Sequence, residues 1–395
     1  MSDAAPSAAP SSAGTPSAPG APYAVAIIGC GFVADLYMRS LAVYPEITIV
    51  GAFDRRPERL AAFAAHWSVP SFDRAEALYA ALPRGGLVLN LTNPTSHVEV
   101  SRAALDAGHH VYSEKPLAMT MDDAHALSAL ARSRGLLLGA APCNQLGESA
   151  QVLAAAVRQG FAGPIRLVYA EMDDGFVRQA PTEKWLGESG APWPAADEFA
   201  TGCTLEHAGY HLGWLMTAFG SVTTVIAASA RLAAPDGDAP DYSTGTLVFD
   251  SGVIARLTCS IIAPHDHAIT LVGERGVIRQ AKTWANGAPV RFHKRLTIRR
   301  KLLEMPVGKR LTFNGETHRM VGRKGAASMN FALGPMDMLE AAATGRPSRM
   351  SPELALHVTE VTLALQNAGL TSGAVPIATR IGEIAPMPYA QSLKR

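Results

Sequence analysis

A glycine-rich turn between a short apolar run and a helical pattern constrains this chain more than any other feature. The turn reads G-x-G-x-x-A and directly follows the apolar residues 24–28. The first glycine permits a tight turn, the second lets the backbone approach a pyrophosphate, and the small third residue lets the helix pack on the strand. The helix N-terminus offers free N–H groups to the phosphates. The residues predicted to contact a dinucleotide here are Gly29, Gly31, Phe32, Val33 and Ala34.

The order of predicted elements divides the chain into two domains. From residue 22 to 145, short apolar runs alternate with helical patterns, which is typical of a parallel sheet with right-handed crossovers. From 146 to 385, strands separated by turn residues dominate, so we expect an α+β domain with a large, mostly antiparallel open sheet. Residues 173–200 read as a loop and residues 205–219 as one helix. Residues 1–21, rich in Ala, Ser, Pro and Gly, are predicted to be a disordered tail, and residues 386–395 a second tail.

Composition excludes several classes of protein. A net charge of +1 gives no general attraction to nucleic acid, and no run of 18 apolar residues suggests a membrane span. The four cysteines are widely separated, which argues against a disulfide framework and fits a reducing cytoplasm. Eleven Lys and Arg residues lie within 291–324; they form either a solvated face or a contact surface for an anionic substrate, a partner or a membrane.

The second predicted strand ends on an acidic residue. Asp54 is placed to accept hydrogen bonds from the adenosine ribose hydroxyls and to repel a 2′-phosphate, which favours NAD. Arg55 follows directly and could bind that phosphate, so NADP is the alternative cofactor.

Two further segments carry a family resemblance. The run Thr92-Asn93-Pro94-Thr95-Ser96-His97 follows the third predicted strand, and Glu114-Lys115-Pro116 follows the fourth. Together with the glycine-rich turn, they resemble the Gfo/Idh/MocA oxidoreductases. The resemblance implies a Rossmann domain followed by an α+β domain whose open sheet often forms the subunit interface, hence a homodimer or homotetramer. It also places Thr92, Asn93, His97, Glu114 and Lys115 at the cofactor.

By the same resemblance, Lys115 lies between nicotinamide and substrate. A lysine there can hydrogen-bond the reacting hydroxyl and help to move its proton, especially if burial or nearby positive charge lowers its pKa. Pro116 is a candidate for a cis peptide bond.

A third segment, residues 202–211, is similar to the family's catalytic helix. Gly209 and His211 match that pattern, whereas His207 replaces its usual Asp. His211 is the predicted general base. His207 and His211 are four residues apart and would share one helical face. Two histidines at this spacing could bind a metal ion, but no third ligand is evident in the sequence, so we expect no metal. The predicted substrate contacts are Asn144, Trp185, Glu206, His207, Tyr210 and His211.

These features predict a cytoplasmic NAD(P)-dependent dehydrogenase or reductase acting on CH–OH groups of a sugar, cyclitol or sugar derivative. Trp185 is expected either to stack on a sugar ring or to pack on the aromatic residues of its own loop. Two alternatives remain: an NAD-dependent glycoside hydrolase of the same fold, and a non-catalytic sensor that binds dinucleotide and a partner protein.

Overall fold

The computed structural model describes residues 23–233, 239–322 and 328–394. The predicted N-terminal tail, residues 1–21, lies outside the described residues. No helix in the described part of the chain is long and apolar enough to cross a membrane.

The first part of the chain forms a five-stranded parallel sheet. Its strands are β1 (Tyr23–Ile28), β2 (Ile47–Phe53), β3 (Leu87–Asn90), β4 (His110–Ser113) and β5 (Leu138–Ala140), in the order β2-β1-β3-β4-β5. The helices between them are α1 (Phe32–Leu41), α2 (Pro57–Trp67), α3 (Ala75–Ala81), α4 (His97–Asp106) and α5 (Met121–Ser133). The strands are almost continuously apolar because a parallel sheet is covered on both faces. The strand order reverses direction at β1, where ligands bind to such sheets.

The second part of the chain forms, within the described residues, a ten-stranded sheet and five α-helices. The helices are α6 (Glu148–Arg158), α7 (Ala195–Thr201), α8 (Gly209–Phe219), α9 (Leu333–Thr344) and α10 (Pro352–Gln366). The strands of this sheet are β6 (Ile165–Asp173), β7 (Val222–Ala230), β8 (Tyr242–Phe249), β9 (Ile254–Ser260), β10 (Ile269–Gly273), β11 (Gly276–Gln280), β12 (Val290–Ile298), β13 (Lys301–Glu304), β14 (Lys309–Leu311) and β15 (Ala374–Pro376). Helices α6 and α10 pack on these strands, and α9 packs on β3 and β5 of the parallel sheet. The pair β6–β9 is parallel and the other pairs are antiparallel, so the predicted mostly antiparallel sheet is confirmed.

Two local predictions are corrected by the structure, and three strands that were not predicted are added. The segment 173–200 is not a continuous loop, because it contains two 3₁₀ turns and the start of α7. The helix predicted over 205–219 begins instead with a π-helical turn, Thr204–Ala208, and continues as α8. The basic stretch contains β12, β13 and β14, which extend one end of the large sheet.

The two parts of the chain share their cores. Ala355 and Leu356 of α10 belong to the apolar cluster of the parallel sheet. The side chain of Met338, in α9, and the backbone of Met350 crowd Gly139 of β5 so closely that a Cβ there would clash with them. The predicted boundary after residue 145 therefore separates sequence segments whose side chains pack together.

Residues 386–394, predicted as a tail, pack against the second domain. Ala390 and Leu393 are buried, and the Tyr389 hydroxyl donates a hydrogen bond of 2.8 Å to the backbone carbonyl of Leu146. The segment is therefore part of the folded body.

Candidate active site

The glycine-rich turn has the shape that a pyrophosphate requires. Gly29 has φ +95°, and a Cβ there would lie 2.6 Å from backbone just beyond β3, so only glycine fits. Gly31 is the N-cap of α1 without a side-chain cap, and a Cβ there would meet no atom within 4 Å. This open space lies over the first turn of α1, where the N–H groups of Phe32 and Val33 have no helical partner. The buried Ala34 is the small residue that packs α1 on the sheet. The residues present therefore fit a dinucleotide.

Asp54 lies directly after β2 and supports this turn. Its two carboxylate oxygens accept the N–H of Cys30 at 2.8 Å and the N–H of Arg56 at 2.9 Å. Each oxygen keeps a further lone pair, so the carboxylate can still accept a ribose hydroxyl. Arg55 is exposed beside it. The placement fits the predicted preference for NAD.

Thr92 and Asn93 border the same crevice from the loop after β3. The Thr92 hydroxyl donates to Asn90 Oδ1 at 2.6 Å, which fixes the start of the loop. The amide of Asn93 donates to Asp197 of α7 at 3.3 Å and so connects the cofactor loop with the second domain.

His97 has a supporting position. Its side chain is fully buried, with Nδ1 at 2.6 Å from the carbonyl oxygen of Pro116 and Nε2 at 2.9 Å from that of Thr92. Burial lowers the pKa of His97, and a neutral imidazole can donate to only one of these two carbonyls. The ring connects the loop after β3 with the loop after β4 through these two carbonyls, so a direct contact of His97 with the cofactor is not supported.

Glu114 and the cis peptide bond Lys115–Pro116 follow β4. Glu114 is buried; one carboxylate oxygen accepts the Tyr37 hydroxyl at 2.7 Å and the other accepts the backbone N–H of Lys115 at 3.0 Å. The predicted cis bond is confirmed. This arrangement fixes the backbone from which the Lys115 side chain extends.

The ammonium group of Lys115 lies between two carboxylates of the second domain. It is in close contact with Glu206, and Glu198 is 3.7 Å away; all three side chains are at most 17% exposed. Burial alone would lower the pKa of Lys115, but Glu198 and Glu206 raise it well above its usual value. The condition of a lowered pKa is therefore not met, and Lys115 is a charged donor.

The two carboxylates have opposite pKa shifts. Burial and the charge of Glu198 raise the pKa of Glu206. Burial opposes ionisation of Glu198 as well, but Lys115 and His207 lower its pKa below the usual value. Glu206 is consequently the carboxyl group that holds a proton more readily.

His207 lies in the π-helical turn and faces two acids. Its Nδ1 is in close contact with Asp174, and its Nε2 is 3.6 Å from Glu198. Burial would lower the pKa of His207, but Asp174 raises it to about 10. His207 is therefore a cation held between two acids.

His211 lies in the interior of the second domain. Its side chain is fully buried, with Nε2 at 2.7 Å from the backbone carbonyl oxygen of Glu171. Burial and the nearby His267 lower its pKa to about 3. Its Nδ1 has no hydrogen-bond partner in the described part of the chain, so the role of His211 as general base stays a prediction.

The other predicted substrate contacts are divided between the interior and the surface. Asn144 is buried, and its amide donates to the Tyr210 carbonyl at 3.1 Å, leaving Oδ1 without a partner in the described chain. The ring of Tyr210 packs 5.5 Å from Trp284. Trp185 is 36% exposed and packs edge-on against Trp193 at 5.1 Å, so the loop does pack on its own aromatics.

Sequence reasoning missed a contact that fastens this loop to the Rossmann domain. Asp35 of α1 is buried and accepts the N–H of Ser189 at 2.9 Å, the Ser189 hydroxyl at 3.1 Å and the Trp67 indole N–H at 2.7 Å. It also missed Glu198 and Asp174. The abundance of acids in residues 173–200 was the available signal, but it does not say which acid meets which cation.

Two sequence segments match models of one family. Residues 23–141 match the oxidoreductase family with an NAD-binding Rossmann fold, and residues 150–279 match the GFO/IDH/MocA C-terminal domain. The chain belongs to the Gfo/Idh/MocA oxidoreductase family, and the resemblance seen in its motifs is confirmed.

Known proteins of several kinds are similar to this chain. An uncharacterized oxidoreductase of Bacillus subtilis is 25% identical over 244 residues, covering 58% of this chain and 61% of that protein. The UDP-N-acetylglucosamine 3-dehydrogenase of Acidithiobacillus ferrooxidans is 30% identical over 139 residues, covering 35% and 42%. The crystal structure of the WlbA dehydrogenase from Bordetella pertussis, in complex with NADH and UDP-GlcNAcA, aligns with a TM-score of 0.68 at 18% identity, covering 90% and 98%. The chain thus aligns with less than two thirds of the length of these two sequence relatives, while the solved structure shares the whole fold.

Proposed function

We propose that this chain is an NAD(P)-dependent dehydrogenase or reductase acting on a hydroxyl-bearing carbon of a sugar, cyclitol or sugar derivative. The observation that carries the proposal is the partly buried Lys115 ammonium, which follows β4 at the dinucleotide crevice and is paired with Glu206 and Glu198. When bound, the nicotinamide accepts or supplies the hydride.

Lys115 orients and polarises the reacting oxygen. Because its pKa is raised, it remains an ammonium and donates a hydrogen bond to the substrate hydroxyl or carbonyl. In the oxidative direction Lys115 first transfers one proton to the contacting carboxylate of Glu206, and the amine that results takes the hydroxyl proton as hydride leaves the carbon, which restores the ammonium. In the reductive direction the same proton returns by the reverse route.

The proton acceptor in this proposal is Glu206 in place of the expected His211. Glu206 touches the Lys115 ammonium and has a raised pKa, whereas His211 faces a backbone carbonyl. His211, whose Nδ1 has no partner in the described part of the chain, is the alternative acceptor.

Nucleotide sugars are the first substrates to consider. The Acidithiobacillus relative is a UDP-N-acetylglucosamine 3-dehydrogenase, and the Bordetella structure contains UDP-GlcNAcA. Free sugars and inositols form the comparison set, because a D-apiose dehydrogenase and a myo-inositol dehydrogenase are also similar to this chain.

The test is cofactor reduction measured with NAD and NADP across nucleotide sugars, free sugars and inositols. Wild type, Lys115→Met and the exposed control Lys309→Met are compared. Loss of the acid–base group should reduce kcat/KM by about 10²- to 10⁴-fold in Lys115→Met and leave Lys309→Met unchanged. Equal rates in Lys115→Met would refute the role of Lys115. Release of free sugar without net cofactor reduction would favour the glycoside hydrolase, and dinucleotide binding without turnover would favour the sensor.

We also propose a homodimer or homotetramer formed through the outer face of the large sheet. Tyr169, Ile226 and Ile254 are 37%, 48% and 43% exposed, and the strand register places them on the same face. An apolar face of this kind is typical of subunit interfaces. A cytoplasmic location is supported by four buried cysteines that are free thiols.

A further inference from the structure

We propose that Asp174, His265 and His267 form a binding site for a divalent transition-metal ion of the zinc class. The expectation from sequence was that no third ligand accompanies His207 and His211. The structure brings together a different set of ligands, from the end of β6 and the segment before β10.

The chain path explains why these side chains meet. Asp173, the last residue of β6, forms an antiparallel bridge with Asp266. Side chains alternate between the two sides of an extended segment, so His265 and His267 project to the same side. Asp174 follows directly after β6 and faces them.

The distances suit one ion after a small adjustment. One ligand atom from each of the three residues lies within 4.8 Å of the others, and His267 Nε2 is 2.5 Å from Asp174 Oδ1. The His265 and His267 rings are 4.1 Å apart. Ligand atoms around tetrahedral zinc, at 2.0–2.2 Å from the ion, are separated by about 3.4 Å. Rotation of the exposed His265 ring brings its nitrogen to the ion, and His267 Nε2 and Asp174 Oδ1, now 2.5 Å apart, must separate by about 0.9 Å.

The donor set and its burial favour a transition metal over magnesium or calcium. Two imidazoles with one carboxylate are typical zinc ligands, whereas magnesium and calcium prefer oxygen atoms alone. The Asp174 and His267 side chains are 4% and 2% exposed, and His265 opens to solvent, which gives the ion a route of entry. The indole of Trp284, 4.4 Å from the His267 ring, forms an apolar wall.

The site is connected to the proposed catalytic lysine. The second oxygen of Asp174 contacts His207, His207 lies 3.6 Å from Glu198, and Glu198 lies 3.7 Å from Lys115. An ion that takes Asp174 as a ligand competes with His207 for that carboxylate. The proposed activity does not require the ion, so the two proposals stand or fall separately.

The test uses the full-length chain without an affinity tag, stripped with a chelator and free of dinucleotide and substrate. It is titrated with Co²⁺, followed by Zn²⁺. We expect one Co²⁺ per chain with visible d–d absorption, its displacement by Zn²⁺, and a higher Tm with Zn²⁺ because the ion binds only the folded state.

The variants decide which residues hold the ion. His265→Ala, whose side chain is exposed, should fold normally and bind Co²⁺ at least about tenfold more weakly. His125→Ala, on the exposed side of α5, is the matched control and should bind like wild type. Absence of stoichiometric binding, binding of Mg²⁺ in preference to Co²⁺, or equal affinity in His265→Ala would overturn the proposal. Asp174→Asn provides a second variant and should also lose binding.

Discussion

Replacing Lys115 by Met tests the ion pairs that Lys115 forms with Glu206 and Glu198 in the candidate active site. The variant keeps the apolar stem of the side chain and removes the charge that lies between Glu206 and Glu198. Removing one partner of a buried ion pair typically costs about 3–5 kcal/mol, because the remaining charge stays buried. Here the protein can reduce that cost by protonating Glu206.

The cost should therefore depend on pH. Burial and Glu198 already raise the pKa of Glu206, and Lys115 lowers it, so the variant raises that pKa further. A carboxyl group whose pKa is higher in the folded state binds more protons there than in the unfolded chain. Its stabilising contribution is present at low pH and is lost as the pH rises through the folded pKa. One such proton changes the free energy of unfolding by up to about 1.4 kcal/mol per pH unit.

Urea unfolding at about pH 6 and about pH 8.5 measures this effect. We expect Lys115→Met to be destabilised relative to wild type, and the difference in the free energy of unfolding to be up to about 1 kcal/mol larger at the higher pH, because the pKa of Glu206 in the wild type is already about 8. Lys309→Met, on exposed β14, should show no such trend. An equal loss at both pH values would mean that Glu206 does not take up a proton, and would refute the assignment of Glu206 as proton acceptor.

Three further predictions concern the cofactor side. In Gly29→Ala the new Cβ must sit on a backbone of positive φ and clashes with neighbouring backbone. The variant should lose about 1–3 kcal/mol of stability in urea unfolding and bind dinucleotide more weakly in calorimetry. Gly373→Ala, whose Cβ would meet no atom within 4 Å, should change neither. Asp54→Ser removes the carboxylate that opposes a 2′-phosphate, so the ratio of the Kd values for NADP and NAD should fall by about tenfold or more; an unchanged ratio would show that Asp54 does not select the cofactor. Asp35→Asn weakens charge-assisted hydrogen bonds to Ser189, so we expect faster proteolysis within 186–192 and a free energy of unfolding lower by about 1–3 kcal/mol. Cleavage at the wild-type rate would argue that Asp35 does not hold this loop on the Rossmann domain.

The parallel sheet was predictable because its strands and helices are marked by patterns within short sequence segments. Buried parallel strands appear as short apolar runs such as Leu87–Asn90, and the helices between them carry regular periodicity. The strands β12, β13 and β14 were missed because strands at the end of a sheet carry charged side chains that discourage aggregation, so their sequence reads as a basic run. The π-helical turn at Thr204–Ala208 was also hidden, since it lies directly before α8, where no preceding α-helical turn fixes the phase of the apolar pattern.

The candidate site was predictable only in part. Lys115 and the glycine-rich turn are identified by motifs, whose spacing is fixed within one βαβ unit. Motifs do not identify the partners of Lys115, because Glu198 and Glu206 belong to the other domain and are brought to Lys115 only by the packing of the two domains. The role of a motif histidine is equally undetermined by sequence: His211 matches the family pattern, yet its ring faces a backbone carbonyl.

The replacement of the family's usual Asp by His207 has a physical explanation in these surroundings. An Asp at 207 would lie against Asp174 and Glu198, and three carboxylates would then share one buried region with Lys115 as their neighbouring cation. Like charges this close cannot all ionise, so one carboxyl would have to be protonated. A histidine instead supplies a second cation, so Asp174 and Glu198 stay ionised next to it. His207 is therefore explained by its two acidic neighbours, Asp174 and Glu198, whose pKa values it lowers. Glu206 is then the carboxyl group with the raised pKa beside Lys115.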